Sequence, residues 1–386
     1  MAASRKNKRP VSLPVFLTQL VPHYRQALFA GLNARCGLLV AAGSADPARP
    51  AMFKMVEEQP WLLRFPFRRL SQRRPLCHVP VGRILRETGA DVVVAEFSAF
   101  LSSTWELALR RALLGRPQLI FWTHGYAAHR PGGRIVDALL DRLRLWALHR
   151  ADMIACYTEE SRAYLARFLP PERLAVIDNT IDVAPMRALR GRLPPPPPAP
   201  GPRLLAVGRM TADKRFPALV RVLGGLRRHH PAATLTIIGD GPDMPAVQEL
   251  AARLPPGAVE LPGLVYDEAQ LAPYFLAADL FVFTGAVGLS VNHALAYGLP
   301  VVTFRRGPGG PLHHPEIAYV EDGVTGWLVS PATEEAMVDT LRRILADPRP
   351  PRQRLGAGID RYVDDRLTMD GMVERFAELI QRVARR

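Results

Sequence analysis

Short apolar runs alternate with segments of helical periodicity throughout this sequence. In the first half, apolar runs lie at 15–17, 38–41, 92–95, 119–122, 153–156 and 175–177. Five more follow in the second half, at 204–207, 235–238, 280–283, 301–304 and 327–329. The intervening segments, such as 105–114 and 135–148, carry apolar residues three or four positions apart, as a helix with one buried face does. This alternation predicts an α/β fold with mostly parallel sheets.

A proline-rich run, LPPPPPAPGP at 193–202, separates the two series. It can form neither a helix nor a central strand and is typical of a stiff spacer. A chain of 386 residues is also long enough for two cores. We therefore predict Rossmann-like domains at 1–192 and 203–368, joined by 193–202 and facing each other across a ligand cleft. A separate amphipathic helix is expected over 369–386.

Residues 279–304, DLFVFTGAVGLSVNHALAYGLPVVTF, contain the most informative unit of the second domain. The pattern predicts a buried strand, a glycine-containing loop at 285–288, a short helix and a second strand. Such a loop leaves backbone N–H groups unpaired at a helix N-terminus, where an anion such as phosphate is favoured. A purely structural connection without a ligand explains the pattern equally well.

Glycine and basic residues follow other strands of this domain. Gly208 and Arg209 come directly after one strand, and Lys214 lies five residues further on. Arginine as a planar fork and lysine as a point charge could hold two phosphate oxygens, although solvent-exposed charges after a strand are the alternative. Gly239 ends the next strand in a turn, and the backbone near Gly263 and Leu264 could meet a nucleobase.

Taken in order, five motifs resemble the C-terminal domain of family 4 glycosyltransferases, which have the GT-B fold. They are VGRM…DK, LTIIGDGP, LPGLV…LAPYFLAADLFVF, the GL…HALAYGLPVV unit and EDGVTGWLV, between residues 204 and 329. The N-terminal half resembles the family more loosely, through LTQLVPHYR, FWTHG and VIDNTID.

The resemblance implies a retaining transfer of a sugar from a nucleoside diphosphate-sugar to a hydroxyl group of a saccharide or lipid-linked acceptor. It implies that His124 lies beside the transferred sugar and that Arg209 and Lys214 stabilise the leaving diphosphate. The loop around Gly285, Val287, Gly288 and Leu289 would contact the donor. The final helix would pack back on the N-terminal domain. No cofactor and no metal is expected, and no cluster of acidic residues and histidines has metal-ligand spacing.

The chain departs from the family at two positions. The family carries two glutamates eight positions apart around this loop, and Gly285 and His293 stand in their places. His293 could hydrogen-bond a ribose hydroxyl as a neutral imidazole, or it could be a satisfied core histidine. The departure leaves open a non-catalytic nucleotide-sugar-binding scaffold. A sugar-nucleotide epimerase of the same architecture is a further alternative, for which Glu96 and Glu316 are the candidate acid and base.

The positive charge is concentrated in the first half. Residues 1–202 contain 29 Lys and Arg against 15 Asp and Glu, whereas 203–386 contain 21 of each. Residues 61–74, WLLRFPFRRLSQRR, interleave aromatics with arginines, as a membrane-interface patch would, or as a solvated basic loop would. No nucleic-acid module is recognised. Three widely spaced cysteines suit a reducing compartment. We expect a cytoplasmic protein that associates peripherally with the membrane.

Overall fold

The computed structural model describes residues 13–44, 55–66, 68–69, 77–99, 101–125 and 134–385. They form two compact units. The first unit runs to Asp178 and takes up the chain again from Asp370, and the second is Asn179–Met369.

The first unit contains a parallel sheet of seven strands in the order β3-β2-β1-β6-β7-β8-β9. Its strands are β1 (Val15–Thr18), β2 (Leu39–Gly43), β3 (Leu62–Phe65), β6 (Val92–Glu96), β7 (Gln118–Thr123), β8 (Met153–Cys156) and β9 (Leu174–Val176), and a separate two-stranded ribbon is formed by β4 (Arg68–Arg69) and β5 (Cys77–His78). The central strands are buried along almost their whole length, because helices cover both faces of such a sheet.

Five helices of this unit come from the first part of the chain. They are α1 (Gln26–Cys36), α2 (Val81–Thr88), α3 (Ser102–Leu114), α4 (Arg134–Arg150) and α5 (Glu159–Leu165). The helix α1 ends at Gly37 and α3 ends at Gly115, both in the left-handed conformation that glycine adopts without a steric penalty.

The second unit contains a parallel sheet of six strands in the order β12-β11-β10-β13-β14-β15. The strands are β10 (Arg203–Val207), β11 (Thr234–Ile238), β12 (Val259–Gly263), β13 (Leu280–Phe283), β14 (Val301–Phe304) and β15 (Gly326–Val329). The helices are α6 (Ala184–Arg192), α7 (Phe216–Arg227), α8 (Met244–Ala251), α9 (Glu268–Ala277), α10 (Ser290–Ala296), α11 (Glu334–Leu345) and α12 (Pro351–Arg366).

The last helix, α13 (Met369–Ala384), packs in the first unit although it follows the second in sequence. The ring of Phe376 lies 5.4 Å from that of Trp122 on β7 and 6.3 Å from that of Phe16 on β1, edge to face in both cases. Arg375 donates a hydrogen bond to the carbonyl oxygen of Ile177 at 2.9 Å. The helix therefore completes the core of the first unit.

The units divide at Asp178, whereas the proline run suggests a boundary at 193–202. Residues 179–202 group with the second unit because α6 packs on α9 and α10. Arg190 of α6 forms an ion pair with Asp360 of α12 at 2.5 Å. The proline run lies inside the second unit, where Arg203 donates to the carbonyl oxygen of Pro197.

The described part of segment 61–74 does not have the form that a membrane-interface patch needs. Trp61, Leu62 and Phe65 are buried, and they belong to or flank the edge strand β3. Arg64 bonds to Glu58 and to the carbonyl oxygen of Val56. The aromatic residues of this part serve the core. Residues 67 and 70–74 of the segment lie outside the described residues.

Candidate functional site

The candidate residues of the second unit lie at the carboxyl edge of its sheet, around β10 and β13. The strand order places β10 next to β13, with β11 on the other side of β10, so the chain changes direction across the sheet at this point. In open parallel sheets, ligands bind outside the strand ends at such a switch point. Gly208 and Arg209 follow β10 here, and the loop 285–289 follows β13.

Close contact between two glycines leaves bare backbone at this edge. A Cβ atom at Gly239, whose φ is 144°, would lie 1.9 Å from the carbonyl oxygen of Gly208. The Gly208 amide donates to Ile238 and the Gly239 amide donates to Gly263. A side chain at position 239 is therefore excluded. The strand ends offer the kind of open backbone surface that a phosphate group can approach.

Lys214 and the loop after β13 are bound together. The Lys214 ammonium donates to the carbonyl oxygen of Ala286 at 2.6 Å, and the Ala286 amide donates to Asp213 at 2.8 Å. The Thr284 hydroxyl donates to the carbonyl oxygen of Arg215. These three bonds join Thr284 and Ala286 to the consecutive residues 213–215 and hold the loop against the segment that carries Lys214.

Gly285 lies at the tightest point of this junction. A Cβ atom there would lie 2.2 Å from the carbonyl carbon and oxygen of Lys214 and 2.4 Å from the carbonyl oxygen of Asp213. These are backbone atoms, which cannot move aside as a flexible side chain can. Position 285 therefore excludes every side chain in this structure, a glutamate included.

Charged groups of both signs surround Lys214. Burial lowers the pKa of Lys214, the carboxylates of Asp213 and Glu316 raise it, and the guanidinium of Arg209 lowers it. Arg209 itself is exposed, whereas the Lys214 side chain is 16% exposed. An anion that binds beside these cations would relieve their mutual repulsion and be held by charge-assisted hydrogen bonds.

Two amide groups of the glycine loop already have protein acceptors. The Ala286 amide bonds to Asp213, and the Val287 amide donates to Nδ1 of His313 at 3.2 Å. Val287 is fully buried, whereas Gly288 and Leu289 are partly exposed. The helix α10 that follows has only seven residues. The loop thus has fewer backbone donors for a ligand than the sequence pattern suggests.

His313 supports this loop as a neutral base. Its Nδ1 accepts the Val287 amide, so the ring proton is carried on Nε2. Burial, together with the nearby Arg306 guanidinium, lowers the pKa of His313 to about 4. The imidazole therefore remains uncharged near neutral pH.

His293 is part of a stacked and hydrogen-bonded cluster. Its Nε2 lies 2.9 and 3.0 Å from the two carboxylate oxygens of Glu268, and the Tyr297 hydroxyl donates to the same carboxylate at 2.6 Å. The His293 ring lies nearly parallel to that of Phe275, with centroids 4.8 Å apart. Burial raises the pKa of Glu268, but the hydrogen bonds from His293 and Tyr297 outweigh it and hold the pKa below its usual value. The Nε2 atom of His293 thus has a hydrogen-bond partner within the protein, as expected for the alternative of a satisfied core histidine.

Gly263 and Leu264 end β12 at the same edge. Gly263 has a φ of 79°, and a Cβ atom there would meet nothing within 4 Å. Leu264 is 56% exposed. An exposed leucine beside an open glycine suits contact with the flat face of a nucleobase, and such a contact remains a prediction for this pair.

Glu316 has a structural environment. Its Oε1 accepts from the Asn179 side chain at 2.5 Å, and the Asn179 amide donates to the Tyr319 hydroxyl. The Asn292 side chain donates to the carbonyl oxygen of Asn179 at 2.9 Å. Because Glu316 is buried and committed to this network, it is not a free acid or base at the site.

His124 lies in the first unit, directly after β7. It is exposed, and its ring lies 5.3 Å from that of Tyr157. The next residue, Gly125, has a φ of 83° and accepts a hydrogen bond from Arg144 of α4. A Cβ atom at Gly125 would lie 3.0 Å from the carbonyl oxygen of Ser161. The turn that presents His124 is thus fixed from two sides.

Glu96 lies at the switch point of the first sheet, between β1 and β6. Its Oε2 accepts from the Thr18 hydroxyl at 3.0 Å. Burial raises the pKa of Glu96, whereas the charge of Arg25 and the hydrogen bond from Thr18 lower it. Arg25 is itself buried, with its guanidinium 4.7 Å from the Trp122 ring centroid.

The structure adds residues that sequence reasoning missed. Arg306 lies close enough to His313 to lower the pKa of that imidazole. Arg306 follows a buried strand by two residues, as Arg209 does, so the same sequence pattern of a basic residue after a strand could have identified it. Glu268 had only a weak signal, as an acidic residue in the first turn of a helix. Among the described residues, no group of three or more His, Cys, Asp or Glu side chains could hold a metal ion.

Two family models match the chain. "Glycosyltransferase Family 4" matches residues 30–185, and "Glycosyl transferases group 1" matches residues 201–347. Glycogen synthase of Mycobacterium tuberculosis is 28% identical over 253 residues, which are 63% of this chain and 58% of the relative. This chain thus spans less than two thirds of that relative's length.

Solved structures resemble the whole chain. Sucrose-phosphate synthase from Thermosynechococcus elongatus has a TM-score of 0.69 at 21% identity, covering 97% of this chain and 99% of that one. HepE of Anabaena, in complex with UDP and glucose, has a TM-score of 0.65 at 17% identity, covering 95% and 99%. At these identities the likeness shows a shared fold, and it confirms the fold class predicted from the sequence.

Proposed function

The chain belongs to the family 4 glycosyltransferases, and we propose that it moves a sugar from a nucleoside diphosphate-sugar to a hydroxyl group of an acceptor. The acceptor in this proposal is a saccharide or a lipid-linked saccharide of a cell-surface polysaccharide or lipopolysaccharide. The anomeric configuration of the sugar is retained. The observation that carries the donor site is the junction of Lys214 with the glycine loop, beside Arg209.

The cations of this site suit the charge change of the reaction. When the bond between sugar and diphosphate breaks, negative charge develops on the leaving diphosphate. In the proposal, Arg209 and Lys214 neutralise this charge, and a fixed cation stabilises a transition state without reorganising. HepE, which shares the fold, binds UDP and glucose. In the proposal, His124 of the first unit positions the transferred sugar.

The donor site is tested by thermal unfolding with UDP, GDP, ADP and CMP in turn. A ligand that binds only the native state raises its stability with the logarithm of ligand concentration. We expect one nucleoside diphosphate to raise the melting temperature, and the shift to be lost in Arg209→Ala. The matched control is Arg253→Ala, which removes an exposed arginine that pairs with Glu249 on the surface of the same unit.

Two outcomes would count against this site. No stabilisation by any nucleotide would reject the donor site, and equal stabilisation of Arg209→Ala and wild type would reject the role of Arg209. Retention is tested separately, by proton NMR of the anomeric centre in the product. Metal independence, which remains a prediction, is tested by turnover in the presence of EDTA.

A non-catalytic nucleotide-sugar binder is the second candidate, and Gly285 favours it. The family glutamate has no counterpart at this position, and the backbone around it leaves no room for one. Nucleotide binding without release of nucleotide from any nucleotide-sugar, with or without acceptor, would support this candidate. Conversion of a nucleotide-sugar without acceptor would indicate the epimerase, although only Glu96 remains as its candidate carboxylate.

A cytoplasmic location stays part of the proposal. Cys36 and Cys156 are free thiols, as a reducing compartment allows. Among the helices of the described residues, none has the length and apolar character needed to cross a bilayer. Cell fractionation with a reducing-compartment marker tests the location.

A further inference from the structure

Two neighbouring helices of the first unit expose an unusual number of large apolar side chains. The helices α3 and α4 pack against each other. Seven side chains on them are between 36% and 73% exposed: Leu109, Leu113 and Leu114 on α3, and Leu139, Leu140, Leu143 and Trp146 on α4. We call these seven residues the α3–α4 surface. Scattered single leucines need no explanation, but a group on adjacent helices indicates an interaction site.

The exposed face of α4 is distinct from the face that folds the protein. Leu139, Leu143 and Trp146 recur at helical spacing on one side. On the other side Arg144, Ala147 and Leu148 are buried, and Arg144 donates to the carbonyl oxygen of Gly125. The buried side of α4 therefore already packs on the core, and the exposed leucines on its other side do not contribute to that core.

Arginines border the α3–α4 surface. Arg116, Arg142 and Arg150 are exposed, and within the described part of the chain they form no ion pair. Asp141, the acidic neighbour on α4, lies 3.9 Å from Arg144. The Arg150 guanidinium lies 5.3 Å from the Trp146 ring centroid. Apolar side chains bordered by unneutralised arginines and a tryptophan match the composition of a helix in a bilayer interface.

Charge decides between a bilayer and a second copy of the chain. In a symmetric dimer the surface would meet itself, so Arg142 and Arg150 would approach other arginines. An anionic lipid surface offers the opposite charge together with an apolar layer. The overall charge of +14 adds long-range attraction of the same sign.

We propose that the α3–α4 surface docks this protein on anionic lipid bilayers, with the leucines and Trp146 in the interface and Arg116, Arg142 and Arg150 at the headgroups. This surface differs from segment 61–74, whose described aromatic residues are buried. It also lies on the helix that holds the turn after His124. Docking would thereby place the turn of a proposed active-site residue near the lipid phase.

Co-sedimentation with vesicles tests the proposal without any turnover. Vesicles of phosphatidylglycerol with phosphatidylcholine are compared with vesicles of phosphatidylcholine alone. We expect the wild type to bind the anionic vesicles and to be released by salt. The double variant Leu139→Glu/Leu143→Glu should lower the partition coefficient by about tenfold or more, because it places two carboxylates in the interface. Arg142→Gln/Arg150→Gln should also lower it by about tenfold or more, since each cation near the surface contributes to binding.

Phe168→Glu is the matched control, because Phe168 is an exposed aromatic of the same unit outside the surface. It should bind as the wild type does, and near-ultraviolet circular dichroism should show that all variants are folded. The proposal is overturned if the wild type binds neither vesicle, or if the leucine variants bind as well as the control. It is also overturned if light scattering shows a dimer that the leucine variants convert to a monomer.

Discussion

At the scale of single residues, His313 makes the stability of the second unit depend on pH. Its imidazole is buried, accepts the Val287 amide and has a pKa of about 4 in the folded chain, against 6.5 in an unperturbed one. Between these values the unfolded chain binds more protons than the folded chain does. The free energy of unfolding therefore decreases as pH falls through this window and is fully restored above 6.5.

We expect the wild type to lose up to about 3 kcal/mol of stability between pH 7.5 and pH 4, through His313 alone. His313→Asn keeps a hydrogen-bond acceptor but does not titrate, so it should flatten the dependence. His229→Gln, at an exposed histidine, should leave it unchanged. Urea unfolding at several pH values measures the effect, and equal slopes for wild type and His313→Asn would contradict the assignment.

Lys214 should give ligand binding its own pH dependence at the alkaline end. Burial lowers the pKa of this lysine, so its charge is lost at a lower pH than that of an ordinary lysine, about 10.4. Affinity for a nucleoside diphosphate should fall as pH rises through the lowered pKa. Lys214→Arg, which remains charged, should remove this fall. Calorimetric titration across this pH range measures it, and an alkaline loss that persists in Lys214→Arg would assign it to another group.

At the scale of elements, the strands were predictable and the contacts between loops were not. The apolar runs coincide with eleven strands of the two sheets, because a strand buried on both faces must be apolar throughout. The edge strand β3 was missed because Arg64 interrupts its apolar residues. The arginines that follow it instead suggested a basic loop or a membrane-interface patch.

In the candidate site, too, the position along the sheet was predictable from the sequence, whereas the contacts between side chains were not. Glycines and basic residues after strands marked the carboxyl edge of the sheet, since chain direction is fixed in a parallel sheet. The partner of His293 is Glu268, on another helix, and the neighbour of Gly285 is the backbone of Lys214. No periodicity reports such pairings, because they depend on how separate elements pack.

Gly285 gives a prediction at this scale, since it joins two segments. Gly285→Ala should lower the free energy of unfolding by about 2 kcal/mol or more, because its Cβ atom overlaps backbone atoms of the Lys214 segment. Gly288→Ala is the control, because its Cβ atom would make ordinary contacts, with the His314 ring at 3.7 Å and with the Lys214 ammonium at 4.0 Å. Denaturant unfolding compares the two. Equal stabilities would show that the junction opens easily, and a glutamate at 285 would then be compatible with the fold.

At the scale of the whole molecule, the chain forms two α/β units, each with its own sheet. The first unit, however, is built from two separate stretches of the chain. The first unit takes its last helix from beyond the second, and α6 joins the second unit from before its first strand. The amphipathic pattern of α13 was visible in the sequence, but the surface that it covers was not. That surface includes side chains from strands more than 200 residues earlier, Phe16 and Trp122.

Phe376→Ala should therefore destabilise the first unit although it changes the last helix. Removing this fully buried ring should cost about 3–5 kcal/mol. Gln381→Ala, on the exposed side of α13, should have little effect. Limited proteolysis with mass-spectrometric mapping locates the change. New cleavage in the second unit, with none in the first, would contradict the packing of α13 in the first unit.

The return of α13 has a consequence for how the protein is made. A ribosome that has released the first unit's sheet must still translate the 191 residues of the second unit before α13 appears, which takes about 10 to 40 s. Throughout that interval Phe16 and Trp122 lack the ring that covers them. The nascent chain therefore exposes an apolar patch of the kind that chaperones protect, and the first unit becomes complete only after the second has been synthesised.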